Sequence, residues 1–270
     1  MSEKEHHILS GRLINYLLQL ADTNLILSQR NAEWCGHGPI LEQDIAITNI
    51  SLDLLGQARN FYQHAAQLIN KTVKNSADDR TTEDSLAYLR TEREFKNLLI
   101  TELPGTDWAH TVLRQFFISV YQLLLYEELQ KNKDEQIAAI AEKSIKEVQY
   151  HVKWSGEWVM RLGDGTAESH LRMLNAMENL WPYTGEFFIP AKYEKEEIIG
   201  FDLNALKKPW LQKISTVLKD AKVWTAVFRD KTSGNVFMHS GGKTGIHTEH
   251  MGFILADLQY LQRTYPGAKW

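Results

Sequence analysis

Apolar and polar positions alternate with a helical period along most of the chain. From residue 8 to residue 32 the leucines recur every three or four positions with polar residues between them, which predicts an amphipathic helix and not a strand. Gly36, Gly38 and Pro39 interrupt this pattern, and apolar residues at helical spacing resume over 41–70. The pattern therefore predicts two long helices joined by a short turn.

Polar residues separate the second predicted helix from the third. Residues 71–82 show no apolar period and predict a solvated loop. Thr82 is a favourable N-cap residue, and the helix that it opens is expected to continue to about Glu102, because Pro104 and Gly105 follow as stop signals.

The second half of the chain continues with helical patterns. These patterns predict helices over residues 107–130, 135–162, 168–188, 203–228 and 245–264. Pro182 is expected to kink or break the helix that contains it. Residues 189–202 lack a period and predict a loop that wraps the surface, and the glycine-rich residues 233–245 predict another loop.

Composition favours a helical protein of one domain. Of the 270 residues, 16 are glycine and 6 are proline, a combined share below the globular average of about 12%, which disfavours a turn-rich sandwich or barrel. No shift in composition marks a boundary, so a single domain over 1–270 is predicted. Long helices joined by short loops predict an all-α, up-down helical bundle with additional helices.

Charge and cysteine content exclude several functional classes. The formal net charge of −4 gives no bias toward nucleic acid or acidic membranes. Cys35 is the only cysteine, so an intrachain disulfide and a multi-cysteine metal site are excluded, and a lone cysteine is expected to be buried. The N-terminal residues lack a signal-peptide core, and no apolar stretch is long enough to span a membrane. A cytoplasmic protein is expected.

Two mid-helix positions carry half of a di-iron motif. Carboxylate-bridged di-iron centres form in helical bundles, where Glu-x-x-His motifs on facing helices supply the ligands. Here Asp53 is followed three residues later by Gly56, and Glu147 by Tyr150. His151 lies about 100° further around its helix and does not replace Tyr150. We therefore predict a degenerate metal site without metal, in which these carboxylates are buried and satisfied by Arg, Lys or Tyr partners.

The segment before the last predicted helix is a second candidate site. Gly241, Gly242 and Lys243 form a glycine-rich turn, and His247 and His250 follow it. Backbone amides at a helix N-terminus favour anions, although the spacing is not that of a P-loop. The alternative interpretation is a tight turn that docks on a neighbouring element.

Three stretches carry a resemblance to a known family. They are SQRNAEWCGHGPILEQDIAITNISLDLLGQARN (28–60), IKEVQYH (145–151) and GGKTGIHTEHMGFILADLQYLQRTYPGAKW (241–270). Through them the chain resembles, over nearly its whole length, the C subunits of the bacterial ring-1,2-phenylacetyl-CoA epoxidases. The resemblance is weakest over 1–7, 71–82 and 190–235. It implies a ferritin-like fold without a working metal site.

The resemblance also implies a role and a set of partners. In that family a di-iron A subunit epoxidises the ring of phenylacetyl-CoA in aerobic phenylacetate catabolism, using dioxygen and electrons from NADPH that pass through a reductase with flavin and iron–sulfur groups. This chain is then expected to be a non-catalytic structural subunit that holds no cofactor and pairs with the A subunit. A small B subunit and the reductase would complete the complex, and a homodimer of this chain is compatible with it. Nucleic acid and membranes are not expected partners.

Two further expectations come from the residues themselves. The segment Gly241–His250 is predicted to contact a partner subunit or the phosphates of coenzyme A. The alternative function is a di-iron or manganese ferritin-like oxidoreductase in its own right, with an unusual ligand set of Asp53, Glu127, Glu147 and His151.

Overall fold

The computed structural model describes residues 3–72, 80–225 and 237–268, and the regular structure of these residues is helical. The α-helices are α1 (Glu3–Ala32), α2 (Leu41–Thr72), α3 (Glu83–Tyr88), α4 (Trp108–Leu129), α5 (Glu135–Gly163), α6 (Ala167–Leu180), α7 (Glu196–Ile199), α8 (Lys207–Asp220) and α9 (Met251–Thr264). Short 3-10 helices occupy Glu92–Glu94, Leu99–Thr101, Trp181–Phe188, Leu203–Leu206 and Gly242–Thr244. The all-α prediction is confirmed.

The chain packs as two compact units. Unit 1 contains Met1–Pro104, Ala191–Ile198 and Gly241–Trp270, and unit 2 contains Gly105–Pro190 and Ile199–Ser240. Each unit is therefore assembled from segments that are distant in sequence. The single domain over 1–270 stays a prediction.

Unit 1 is built on the antiparallel pair of α1 and α2. The Ser28 hydroxyl donates to the Ser51 carbonyl at 2.7 Å, and the Tyr62 hydroxyl donates to the Asp22 carboxylate at 2.5 Å. Residue numbers rise on one helix as they fall on the other, as an antiparallel pair requires. The predicted helices over 8–32 and 41–70 are confirmed, with a start at residue 3 and an end at residue 72.

Unit 2 surrounds α4, which is apolar on nearly all sides and is buried along almost its whole length. Such all-round burial is what a helix without a polar face requires. Asp107 caps α4 by accepting from the His110 amide at 2.8 Å, and α5 packs closely because Gly156 lies against the ring of Phe116. The Trp210 indole of α8 donates to the Phe117 carbonyl at 3.0 Å. The boundaries predicted for α4 and α5 are confirmed.

The helix predicted to run from Thr82 to Glu102 is wrong beyond residue 88. Thr82 does cap α3, by accepting from the Ser85 amide at 3.1 Å. The chain then leaves the helix because its backbone amides bond to side chains of α1. The Lys96 amide donates to Asp22 at 2.8 Å, and the Leu98 amide donates to Thr23 at 3.3 Å.

The helix predicted over 203–228 is also shorter than expected. It begins with a 3-10 turn and its α-helical part ends at Asp220. Lys222 then takes a left-handed conformation with φ of 60°, and the Trp224 ring packs edge-on against Trp181. The last predicted residues, 226–228, lie outside the described residues. The break expected at Pro182 is confirmed, because α6 ends at Leu180 and a 3-10 helix follows.

Three smaller expectations need correction. The last helix begins at Met251 and not at Gly245, which has a left-handed φ of 82°. Residues 189–202 do not only wrap the surface, since Glu194 is buried and α7 forms within them. Cys35 is exposed and not buried, because the turn after α1 holds it outside the core.

Candidate functional site

The half-motif on α2 lies at the protein surface. Asp53 is half-buried, and Gly56, in the position of the histidine, is exposed. A Cβ atom on Gly56 would lie in open space, with no atom beyond its own stretch of helix within 4 Å. Position 56 therefore faces solvent.

The half-motif on α5 is divided between surface and interior. Glu147 is half-buried, and Tyr150, in the position of the histidine, is 47% exposed. His151 is completely buried. The two neighbouring rings thus point in different directions, as their separation of about 100° around the helix predicts. Glu127 of α4 is half-buried.

These residues do not fit a di-iron centre. Each motif needs an imidazole three residues after its carboxylate, but Gly56 holds that position on α2 and Tyr150 holds it on α5. Neither residue has a side-chain nitrogen that could bind iron. Within the residues that the structure describes, no three His, Cys, Asp or Glu side chains group so that they could hold a metal ion. The degenerate site stays a prediction.

The glycine-rich turn before α9 is packed against the chain around residues 93–99. A Cβ atom on Gly242 would lie 2.2 Å from the Asn97 carbonyl oxygen, and one on Gly245 would lie 2.3 Å from the Arg93 carbonyl oxygen. Gly241 and Gly245 also have positive φ values of 135° and 82°, which favour glycine. Glycine is required here for close packing, which supports the interpretation of a docked turn.

Lys243 is engaged inside unit 1. Its ammonium lies 2.9 Å from a carboxylate oxygen of Glu194, and the two side chains are 4% and 1% exposed. The Tyr193 hydroxyl donates to the Lys243 carbonyl at 2.8 Å. The charge of Lys243 is therefore buried and paired with Glu194 in this structure. The contact of Gly241–His250 with a partner subunit or with coenzyme A stays a prediction.

Glu102 connects the segment that follows to the rest of unit 1. Its buried carboxylate accepts from the Asn97 amide group at 2.8 Å and from the Thr248 amide and hydroxyl at 2.7 and 2.6 Å. Its backbone carbonyl accepts twice from the Arg30 guanidinium, at 2.9 and 2.7 Å. Glu102 therefore joins α1 to the residues before α9.

His247 completes this cluster as a charged side chain. Its Nδ1 lies 2.7 Å from the Glu102 carboxylate and its Nε2 lies 3.1 Å from the Phe95 carbonyl. Both partners accept, so both ring nitrogens donate, and a histidine that donates from both nitrogens is an imidazolium. Burial lowers the pKa of His247, but the hydrogen bond and charge of Glu102, the Phe95 carbonyl and Glu92 outweigh it and raise this pKa above its ordinary value.

His250 immediately precedes α9 and is half-buried. Its amide donates to the Thr248 hydroxyl at 3.3 Å, so it belongs to the same turn. Sequence reasoning identified the glycines, Lys243 and His247, but not their partners Glu102 and Glu194. No local signal marks those two carboxylates, because they are far from the segment in sequence.

Helix α2 carries an exposed apolar stripe. We define the α2 stripe as Leu41, Ile45, Leu52 and Leu55, which are 72%, 52%, 60% and 40% exposed. At 100° per residue these side chains fall within about 80° of arc and extend over about 21 Å of helix. Apolar side chains aligned in this way on a surface are typical of a protein interface.

No helix among residues 3–72, 80–225 and 237–268 combines the length and the apolar character needed to cross a bilayer.

The structure defines an all-α protein of the ferritin-like helical-bundle class. The chain belongs to the phenylacetic acid catabolic protein family, whose model matches residues 2–270. It is 41% identical over 263 residues to the C subunit of the 1,2-phenylacetyl-CoA epoxidase of Escherichia coli (strain K12), a match that covers 96% of this chain and 100% of that relative. The resemblance stated from the sequence motifs is confirmed.

Proposed function

We propose that this chain is a non-catalytic structural subunit of a phenylacetyl-CoA 1,2-epoxidase, which pairs with the di-iron A subunit and supports it. The similarity to the Escherichia coli relative extends over nearly the whole chain, which supports a role in the same kind of complex. Glycine and tyrosine in the histidine positions of both half-motifs support a role without metal chemistry.

The α2 stripe is the observation that best supports pairing with the A subunit. Four large apolar side chains on one helix face cost free energy in water, at about 25 cal/mol for each Å² of apolar surface left exposed. A second helical subunit packed along α2 would bury them. Gly56 lies at the edge of this face, where its missing side chain lets another helix approach closely.

Support of the A subunit means holding its helices in place. A metal centre in a bundle keeps its reactivity only when the residues around its ligands are rigid. A sister bundle packed against it would provide such rigidity without touching the substrate. A complex that also contains the small B subunit and the reductase fits this role.

The pairing is tested by capture of the co-expressed A subunit of the same organism. We expect the tagged chain to retain the A subunit through size-exclusion chromatography, and we expect Leu52→Glu and Leu55→Glu each to weaken capture at least about tenfold, because a charge is then buried in the interface. Leu171→Glu on α6, where the leucine is 58% exposed, is the matched control and should retain capture.

Two results would overturn the proposal. One is capture that the α2 variants leave unchanged. The other is a stoichiometric di-iron centre in the purified, iron-reconstituted chain, which would make it an oxidoreductase in its own right. Circular dichroism of each variant shows whether it is folded.

A further inference from the structure

Helix α9 borders a groove of about 430 Å³ in unit 1. Gly252 and Ala256 form part of its lining, one helical turn apart, with Glu92 on one side and Tyr260 further along α9. Both small residues are exposed. We call this concave surface the α9 groove.

The face of α9 beside the groove is apolar although it lies in solvent. Phe253 is 73% exposed and Tyr260 is 63% exposed. They are seven residues apart, so they lie on the same face of the helix, within about 20° of each other. Large aromatic side chains next to small residues form ridges and grooves, against which another helix can pack.

The groove is held rigidly from both sides. The Gln259 side chain of α9 donates to the carbonyls of Ala87 and Arg90 at 3.3 and 3.0 Å. The residues just before α9 are fixed to Phe95 and Glu102 through His247. A binding surface that is already ordered loses little conformational entropy when a partner binds.

Two exposed carboxylates lie on this surface. Glu92 lines the groove, and Asp257 lies on the same face of α9 as Phe253; both are exposed. Arg263 also lines the groove, but its guanidinium donates to Gln259 and to the carbonyls of Leu89 and Arg90. Its Nε and Nη2 donors are therefore engaged within the unit although the side chain is exposed, and the two carboxylates against this single engaged cation favour a partner of positive charge.

We propose that the α9 groove binds an amphipathic helix whose apolar stripe is flanked by Lys or Arg. Its apolar residues would cover Phe253 and Tyr260, its backbone would approach Gly252 and Ala256, and its cations would face Glu92 and Asp257. The inference rests on the proposed function for the source of this helix, which is another subunit of the same complex. It is a surface separate from the α2 stripe.

The binding is tested with a fluorescein-labelled peptide of about 18 residues, five helical turns, that carries leucines along one face and lysines elsewhere. Fluorescence anisotropy with the purified full chain should show saturable binding that weakens with salt. Phe253→Ser and Tyr260→Ser should each raise the Kd at least about tenfold. Leu171→Ser on α6, where the leucine is 58% exposed, is the matched control and should leave the Kd unchanged.

A second peptide with glutamate in place of lysine should bind at least about tenfold more weakly. Binding that Phe253→Ser and Tyr260→Ser do not change, an equal loss in Leu171→Ser, or equal affinity of the glutamate peptide would each overturn the inference. Photo-crosslinking from residue 253 in the reconstituted complex should label a Lys- or Arg-rich helix of another subunit. A crosslink to a second copy of this chain, or no crosslink, would contradict that source.

Failure of this inference can be told apart from failure of the proposed function. Phe253→Ser should retain capture of the A subunit, which is expected at the α2 stripe. Loss of that capture in Phe253→Ser would show that the A subunit binds at the α9 groove. It would overturn the inference that the groove is a binding surface separate from that of the A subunit. Peptide binding without any capture of the A subunit would leave the groove in place and overturn the proposed function.

Discussion

His247 carries a proton because of where its two nitrogens point. Each nitrogen faces an oxygen that can only accept, and the side chain is 1% exposed. A neutral ring would leave one lone pair facing another lone pair. The charge of this histidine is therefore part of what fixes the residues before α9, and it links the stability of unit 1 to pH.

We expect the chain to lose stability as pH rises through the pKa of His247. Because this pKa is raised on folding, the contribution is complete below the unfolded pKa of about 6.5 and is lost above the folded pKa. The free energy of unfolding, measured by urea denaturation between pH 6 and pH 9, should fall more in the wild type than in His247→Gln.

The matched control is His37→Gln, since His37 is exposed. This variant should keep the pH dependence of the wild type. The same pH dependence in His247→Gln as in the wild type would show that the imidazolium is not the group that titrates.

At the scale of elements, the path of residues 88–102 follows from a buried ion pair. The Arg90 guanidinium bonds to Asp22, with side chains that are 9% and 0% exposed, and its carbon lies 4.2 Å from the centre of the Phe95 ring. Asp22 also accepts from Tyr62 and from the Lys96 amide. Asp22 thus draws the chain out of the helix that the local pattern predicts.

Arg90→Met should therefore destabilise the protein strongly. It leaves the buried Asp22 carboxylate without its cation, which is expected to cost about 3–5 kcal/mol of unfolding free energy. Arg59→Met is the matched control, because Arg59 is 67% exposed and pairs with Glu83 at 3.3 Å, and it should cost less than about 1 kcal/mol. Urea denaturation at pH 7 measures both, and equal losses would contradict this assignment.

Some helix boundaries could be predicted from neighbouring residues, and others could not. The start of α4 was predictable because Asp107 lies only three residues before His110, whose amide it caps. The extent of α2 was predictable from the spacing of its apolar residues. The end of α3 and the start of α9 were not predictable, because Asp22 and Glu102 determine them from distant positions. For the same reason the sequence indicated Lys243 and His247 but not the carboxylates that bind them.

At the scale of the whole molecule, a complex with the A subunit should cover the α2 stripe and leave other apolar surface residues open. In hydroxyl-radical footprinting, oxidation of Leu41, Ile45, Leu52 and Leu55 should fall at least about threefold on binding, in line with full burial at an interface core. Leu171, which is 58% exposed on α6, should keep its rate. Unchanged oxidation along α2 would place the partner elsewhere.

The contact between Glu102 and His247 also has a consequence for how the protein is made. Glu102 leaves the ribosome 145 residues before its partner, a delay on the order of ten seconds at ordinary rates of synthesis. During that time the Glu102 carboxylate lacks the His247 imidazolium that it contacts in the folded protein, and unit 1 lacks its last segment. The N-terminal helices can therefore complete their packing in unit 1 only after the last segment has emerged. A chain truncated before residue 241 should therefore be cleaved by proteases faster than the full chain.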